Sequence, residues 1–316
     1  MSQPRVTGHH QRELLGDLPP FNDWTNWVAD DENQTIYVYG GFQQGELDFK
    51  APTNAFFRLN IADKAFNWSN FGATLQYRSN DLASGFSLVP GREFPAISHP
   101  AMTFAVVNGR KIILLFGGHS KERSCATSDL IAVDVLQREW AFVHIEGAPV
   151  SPRVDASMYM AGNRLHIFGG RRNSRAVSEI DVILPTYSIA EYSEAYQSWA
   201  WIDRACDRPL PKPLGFNICI VPIDQGKKLV LFPGQEDFGS GCDISQENLF
   251  VFSTEDWSFA PFQVDPGHLP LHVAWFSAER IQSPSGRDAI VLVGWVSNKI
   301  GSEEYLIPEI WVYSHG

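Results

Sequence analysis

Six side chains that could hold an anion crowd two short stretches of this chain. Arg171, Arg172 and Arg175 fall within RRNSR, and His119, Lys121 and Arg123 within HSKER. Turn-like segments add Arg92, His99 and Arg153. A guanidinium fork meets carboxylate or phosphate oxygens two at a time, and imidazole titrates near neutrality. Brought together, this set would bind a small anion or an acidic peptide group. The clustering stands out because the whole chain carries a formal charge of −11. The competing use is neutralisation by acids on nearby loops, such as Glu46, Asp48, Glu236 and Asp237, with Asp155 fitting a satisfied turn carboxylate.

Other chemistries find little in the sequence. It has no G-x-S-x-G, H-E-x-x-H or G-x-x-x-x-G-K-[ST] motif. His119, His99 and His272 are isolated and could each act as acid or base, or simply stabilise a turn. Cys125, Cys206, Cys219 and Cys242 lack paired C-x-x-C spacing, so no metal site and no cofactor are expected, and four free thiols are. The acidic balance, without a basic stripe, argues against nucleic acid. No run of some 18 apolar residues is present, and the polar MSQPRVTGHHQ start lacks a secretory apolar core, so the expectation is a cytoplasmic protein without a membrane segment.

Loops that carry such residues need a scaffold, and a repeat supplies it. Apolar strands end in a glycine doublet at IYVYGG, ILLFGG and LHIFGG, with weaker copies at LVLFPG and IVLVGW. Their doublets begin at Gly40, Gly117, Gly169, Pro233 and Gly294. Successive copies lie roughly sixty residues apart, the spacing of a repeat architecture. A tryptophan follows in phase at Trp68, Trp140, Trp199 or Trp201, and Trp257, and a proline-marked turn precedes each doublet. With 44% hydrophobic residues, 13% aromatics, 25 Gly and 20 Pro, the chain has the makings of many short strands and tight turns.

These doublets, the downstream Trp and the SPRVDASMYMAGNRLHIFGG stretch resemble the Kelch repeat, as in the propeller of galactose oxidase. The resemblance implies an all-β Kelch-type β-propeller occupying residues 1–316 as one domain. Five four-stranded blades account for the doublets, with a sixth, degenerate blade around Phe71–Ser98 as the alternative. Because the chain ends after EIWVYSHG, a third strand, residues 5–15 are expected to complete the last blade and close the ring. The tryptophans are expected to fill the space between blades.

In such propellers the loops after the doublets and the turns between blades surround one mouth of the central channel. Arg171, Arg172, Arg175, His119, Arg123, Arg153, Arg92 and His99 are therefore the candidate ligand-binding residues. The leading expectation is a binding propeller that takes a protein segment or a small anionic molecule at that mouth. The alternative is a metal-independent enzyme of lyase, isomerase or cyclase type, using His and Arg in the central pocket. The E-x-x-x-D-x-x-x-H iron motif of Kelch-type specifier proteins does not occur here.

Overall fold

The structure of the chain is a computed structural model that describes residues 14–17, 26–43, 51–61, 66–79, 87–89, 92–173, 181–195, 197–202, 207–212, 214–215, 217–234, 244, 247–263, 275–282, 288–300 and 303–314. Strands dominate, and among the described residues the helical pieces are single 3-10 turns at Gly72–Thr74 and Asp224–Gly226. Among the described residues five larger, mainly antiparallel sheets follow one another along the chain, each starting from an innermost strand. The first joins Asn26–Asp30, Thr35–Tyr39, Phe56–Asn60 and Phe66–Asn70. The second joins Ala101–Val107, Arg110–Phe116, Leu130–Asp134 and Glu139–Val143. Ser157–Ala161, Arg164–Phe168, Thr186–Ser193 and Ser198–Trp201 make the third. The fourth comprises Cys219–Ile223, Lys228–Phe232, Phe250–Ser253 and Phe259–Pro261. Trp275–Gln282, Asp288–Ile300 and Glu303–Ser314 form the fifth, three-stranded among the described residues.

Strand alternation explains why the second strands are apolar throughout. Successive side chains point to opposite faces, and here each face meets a different neighbouring sheet. Ile113 and Leu115 pack with Tyr39, Phe56 and Trp140, between the first and second sheets. Leu114 and Phe116 turn the other way, toward Leu165, Ile167, Trp199 and Trp201. Leu229 and Leu231 join Phe168 and Tyr187 between the third and fourth sheets, while Val230 and Phe232 meet Ile290 and Leu292 beyond. Each such side chain, fully buried, contributes about 1.5–3 kcal/mol. Trp140, Trp199 and Trp201 are buried between sheets, as the sequence led one to expect, whereas Trp68 and Trp257 are only half-buried, Trp257 against the cluster between the third and fourth sheets.

The glycine doublets mark where the second strands pass close under their neighbours. At Gly117 φ is +68°, and a Cβ there would lie 2.5 Å from the Arg153 carbonyl oxygen. At Gly118 φ is +85°, with Ser98 O at 2.8 Å from the same imagined atom. Only glycine occupies such a place without moving backbone.

Two sequence expectations need revision. The stretch proposed as a sixth blade instead forms a hairpin, Gln76–Ser79 with Ser87–Val89, that extends the outer edge of the second sheet. That hairpin accounts for the wide spacing between the first two doublets. The described end of the N-terminal segment does not lie on the last sheet. Leu14–Gly16 runs parallel to Phe66–Trp68, on the outer edge of the first. This is what the other linkers do: Gln76 and Tyr77 run parallel to the outer strand of the second sheet, and Ile145 and Glu146 to that of the third. Leu14 and Leu15 thus belong to a linker leading into the first sheet, and residues 5–13 lie outside the described residues.

Candidate binding site at the channel mouth

The innermost strands begin, and the doublets fall, at the same end of the sheets, because Ala101 pairs with Phe116 and Ser157 with Phe168. His99, Asp155 and Asn217 each stand two residues before an innermost strand, with φ of 53°, 55° and 57°. Asp, Asn and His tolerate this left-handed conformation better than other non-glycine types. The three are stitched together through backbone. The Asp155 N–H donates to the His99 carbonyl at 3.0 Å, and the Asn217 N–H donates to the Asp155 carbonyl at 2.8 Å. These bonds run from sheet to sheet around the mouth and fix its rim.

Among the described residues the rim holds one charged cluster. Arg171 Nε donates to Asp155 Oδ2 at 2.6 Å, and His99 Nε2 lies 4.0 Å from Asp155 Oδ1. All three side chains are nearly inaccessible, at 6%, 3% and 10% exposure for Arg171, Asp155 and His99. Arg171 and His119 occupy corresponding places, each the second residue beyond the first glycine of a doublet. His119 is half-buried, in a short strand paired with Ser98 and Ala126.

The remaining described candidates do not converge on this point. Arg153 is entirely buried, so its place in a ligand site is corrected to a structural one. It donates from Nε to the Ser151 carbonyl and from Nη1 to the Gly169 carbonyl, both at 3.1 Å, and its Nη2 pairs with Asp207. Burial pushes the Arg153 guanidinium below its ordinary pKa, opposed by the Asp207 charge. Burial alone would raise Asp207, but hydrogen bonds from Ser151 and Ser188 and the Arg153 charge hold it below the usual carboxylate range. Arg92 lies away from the mouth, on the outer flank of the second sheet. Its guanidinium is 4.3 Å from the Tyr77 ring centroid, with the Trp140 and Phe142 rings beyond. Arg123 is exposed and paired with Asp129 at 2.9 Å. Arg172 is exposed in the Arg171–Asn173 strand, and Arg175 lies outside the described residues.

Below the rim runs a central channel of about 490 Å³. Innermost strands of all five sheets contribute to its wall, through residues such as Trp27, Phe104, Tyr159, Cys219 and Ala278. Its volume is within the range of ligand pockets, about 300–1,000 Å³. Asn26 and Asn217 supply amides at the mouth end, and Asn26 Nδ2 donates to the Pro100 carbonyl at 2.9 Å. Among the described residues no three His, Cys, Asp or Glu side chains come together as a metal site would need. No described helix is long and apolar enough to cross a membrane.

Two features escaped the sequence reading. Trp27 is 51% exposed in the channel wall, where the corresponding inner-strand residues are Met102, Met158 and Ile220. Aligning inner strands on their doublets would have singled it out as the bulkiest of that position. His166 is buried between the third and fourth sheets against Phe252, and neither ring nitrogen has a hydrogen-bond partner. Burial, reinforced by Arg164, pushes its pKa down to about 3. Read within LHIFGG, it was simply one member of an apolar strand.

Comparison with known proteins agrees with this architecture. Residues 89–294, well over half of the chain, match the family described as the KLHDC2/KLHL20/DRC7 Kelch-repeats domain. A 61-residue stretch is 31% identical to Kelch domain-containing protein 3 of Homo sapiens and 34% identical to those of Rattus norvegicus and Mus musculus. That stretch covers 19% of this chain and only 16% of each relative's length. Among solved structures, that of YjhT superposes with a TM-score of 0.50 at 14% identity, covering 88% of this chain and 73% of that one, which bears on fold alone. With its glycine doublets in phase, its successive antiparallel sheets and this family match, the chain belongs to the Kelch-repeat family as an all-β propeller.

Proposed function

We propose that this propeller is a binding module that receives a segment of another protein at the channel mouth. The observation that carries the reading is the channel itself: a ligand-sized cavity reached past a backbone-stitched rim, with a half-exposed tryptophan in its wall. An exposed aromatic on a rigid strand is a typical anchor for a partner, since it offers large contact area at little entropy cost. The small-anion alternative is weaker. Arg171, Arg153 and Arg123 each already face a carboxylate, so little uncompensated positive charge is left near the rim.

A catalytic reading would run through His99, Asp155 and Arg171. Their burial and the use of Asp155 in the rim favour a structural role, because an acid–base group must reach the proton it moves. The binding reading is tested by filling the channel. Selecting peptides on the intact chain and then measuring them against Ser157→Trp should show loss of binding with the fold retained. Equal binding to both forms would move the site elsewhere.

A further inference from the structure

We infer that the channel accepts a bulky apolar side chain carried by a basic segment, an inference that rests on the binding reading above. The wall chemistry gives the first half. Trp27, Met102, Phe104 and Tyr159 present aromatic and thioether surface, interspersed with small residues such as Ala29 and Ala278 and with the polar side chains of Asn26, Thr103, Ser157 and Asn217. The aromatic and thioether part of that lining gains from burying an apolar group, and a charge buried against it without a partner is costly.

Charge gives the second half. The described lining contains no Lys, Arg or His, and its single charged residue is Asp31. Asp31 is exposed at the turn following the first innermost strand, the end of the channel opposite the mouth. At the rim the buried guanidiniums of Arg171 and Arg153 are balanced by Asp155 and Asp207. Arg172 and Lys121 are exposed on the hairpins beyond their doublets and are not part of the wall. The approaching partner therefore meets the field of a chain with net charge −11, which attracts a cationic segment and repels an acidic one. An apolar tip flanked by Lys or Arg satisfies both the wall and the field.

A phage-displayed library of random dodecapeptides provides the probe. It is selected on the full chain after depletion on two channel-filled variants, Ser157→Trp and Ala29→Phe, each first checked for an unchanged thermal transition. The expected winners carry Trp, Phe, Leu or Met within a few residues of Lys or Arg. Synthetic copies should weaken about tenfold with Trp27→Ala, as for an interface anchor, and severalfold between low and physiological salt. Replacing their basic residues by Glu should cost at least as much. Channel-dependent winners that are acidic, or polar without an apolar anchor, would overturn this inference and leave the binding reading standing. Failure to recover any peptide that distinguishes the open channel from both filled variants would bring down both.

Discussion

The four junctions between successive sheets and the faces at the two ends of the series differ sharply. Each junction has a buried cluster, and side chains such as Phe116, Phe168 and Phe232 are fully excluded from water. On the fifth sheet Ile290 and Leu292 point into the fourth junction, while Val293, one residue on, is 47% exposed and Val312 61%. On the first sheet Val28 is buried toward the second, while Trp27 is half exposed in the channel wall. On the fifth sheet, the alternation that turns Ile290 and Leu292 into a core leaves Val293 and Val312, among the described residues, on the other and exposed face. Stability in a repeat architecture is close to a sum of nearest-neighbour interfaces, so the junctions hold the molecule and the terminal faces contribute least.

The largest contrast should come from matched truncations. Phe116→Ala, within the junction of the second and third sheets, is expected to cost about 3–5 kcal/mol in urea unfolding. Val293→Ala, on the terminal face, should cost under about 1 kcal/mol. Similar losses at both sites would mean that the terminal faces are packed against each other as tightly as a junction.

Arg153→Ala should come next, at about 3–5 kcal/mol, because it leaves Asp207 half-buried without its cation. The double variant Arg153→Met with Asp207→Leu should recover part of that loss, which separates the orphaned charge from the lost packing. A truncation at Gln11 tests ring closure, which is our proposal for the residues ahead of Leu14. The linkers beside the second and third sheets both follow directly on the outer strand of the sheet before, and by that phase we propose that the residues ahead of Leu14 pair with Glu303–Ser314, whose outer edge has no partner among the described residues. Removing such a strand should lower stability by several kcal/mol, and an unchanged unfolding midpoint would contradict closure.

A further effect is graded by pH and is small near neutrality. His166 has a folded pKa of about 3 against an ordinary 6.5, so the unfolded chain takes up a proton that the folded one refuses. Its contribution is therefore complete above pH 6.5 and is lost as pH falls toward 3, at about 1.4 kcal/mol per unit. His166→Phe should flatten that part of the stability–pH curve, and an unchanged slope would show that His166 gains a partner on protonation. Smallest of all, Arg172→Ala should shift stability by no more than about 0.5 kcal/mol.

Much of this architecture was written locally. The doublets at Gly40, Gly117 and Gly169 reported positive φ and close backbone approach, which only glycine tolerates, and so the repeat could be read from single strands. The hairpin Gln76–Ser79 with Ser87–Val89 could not be so read, because an edge extension has no doublet and looks like a loop. The site was harder still. Arginine clustering in RRNSR was legible, but the partners were not: Arg171 is answered by Asp155 and Arg153 by Asp207, residues 16 and 54 positions away along the chain. Charge in sequence measures what must be balanced, and only the fold shows whether it already is.

The central claim is that ligand enters the channel, and backbone hydrogen exchange with and without a selected peptide tests it most directly. The account predicts slowed exchange concentrated on the innermost strands Asn26–Asp30, Ala101–Val107, Ser157–Ala161 and Cys219–Ile223 and on the rim at His99 and Asp155. Slowing confined to outer strands such as Glu139–Val143 and Ser198–Trp201, with the innermost strands unchanged, would contradict it.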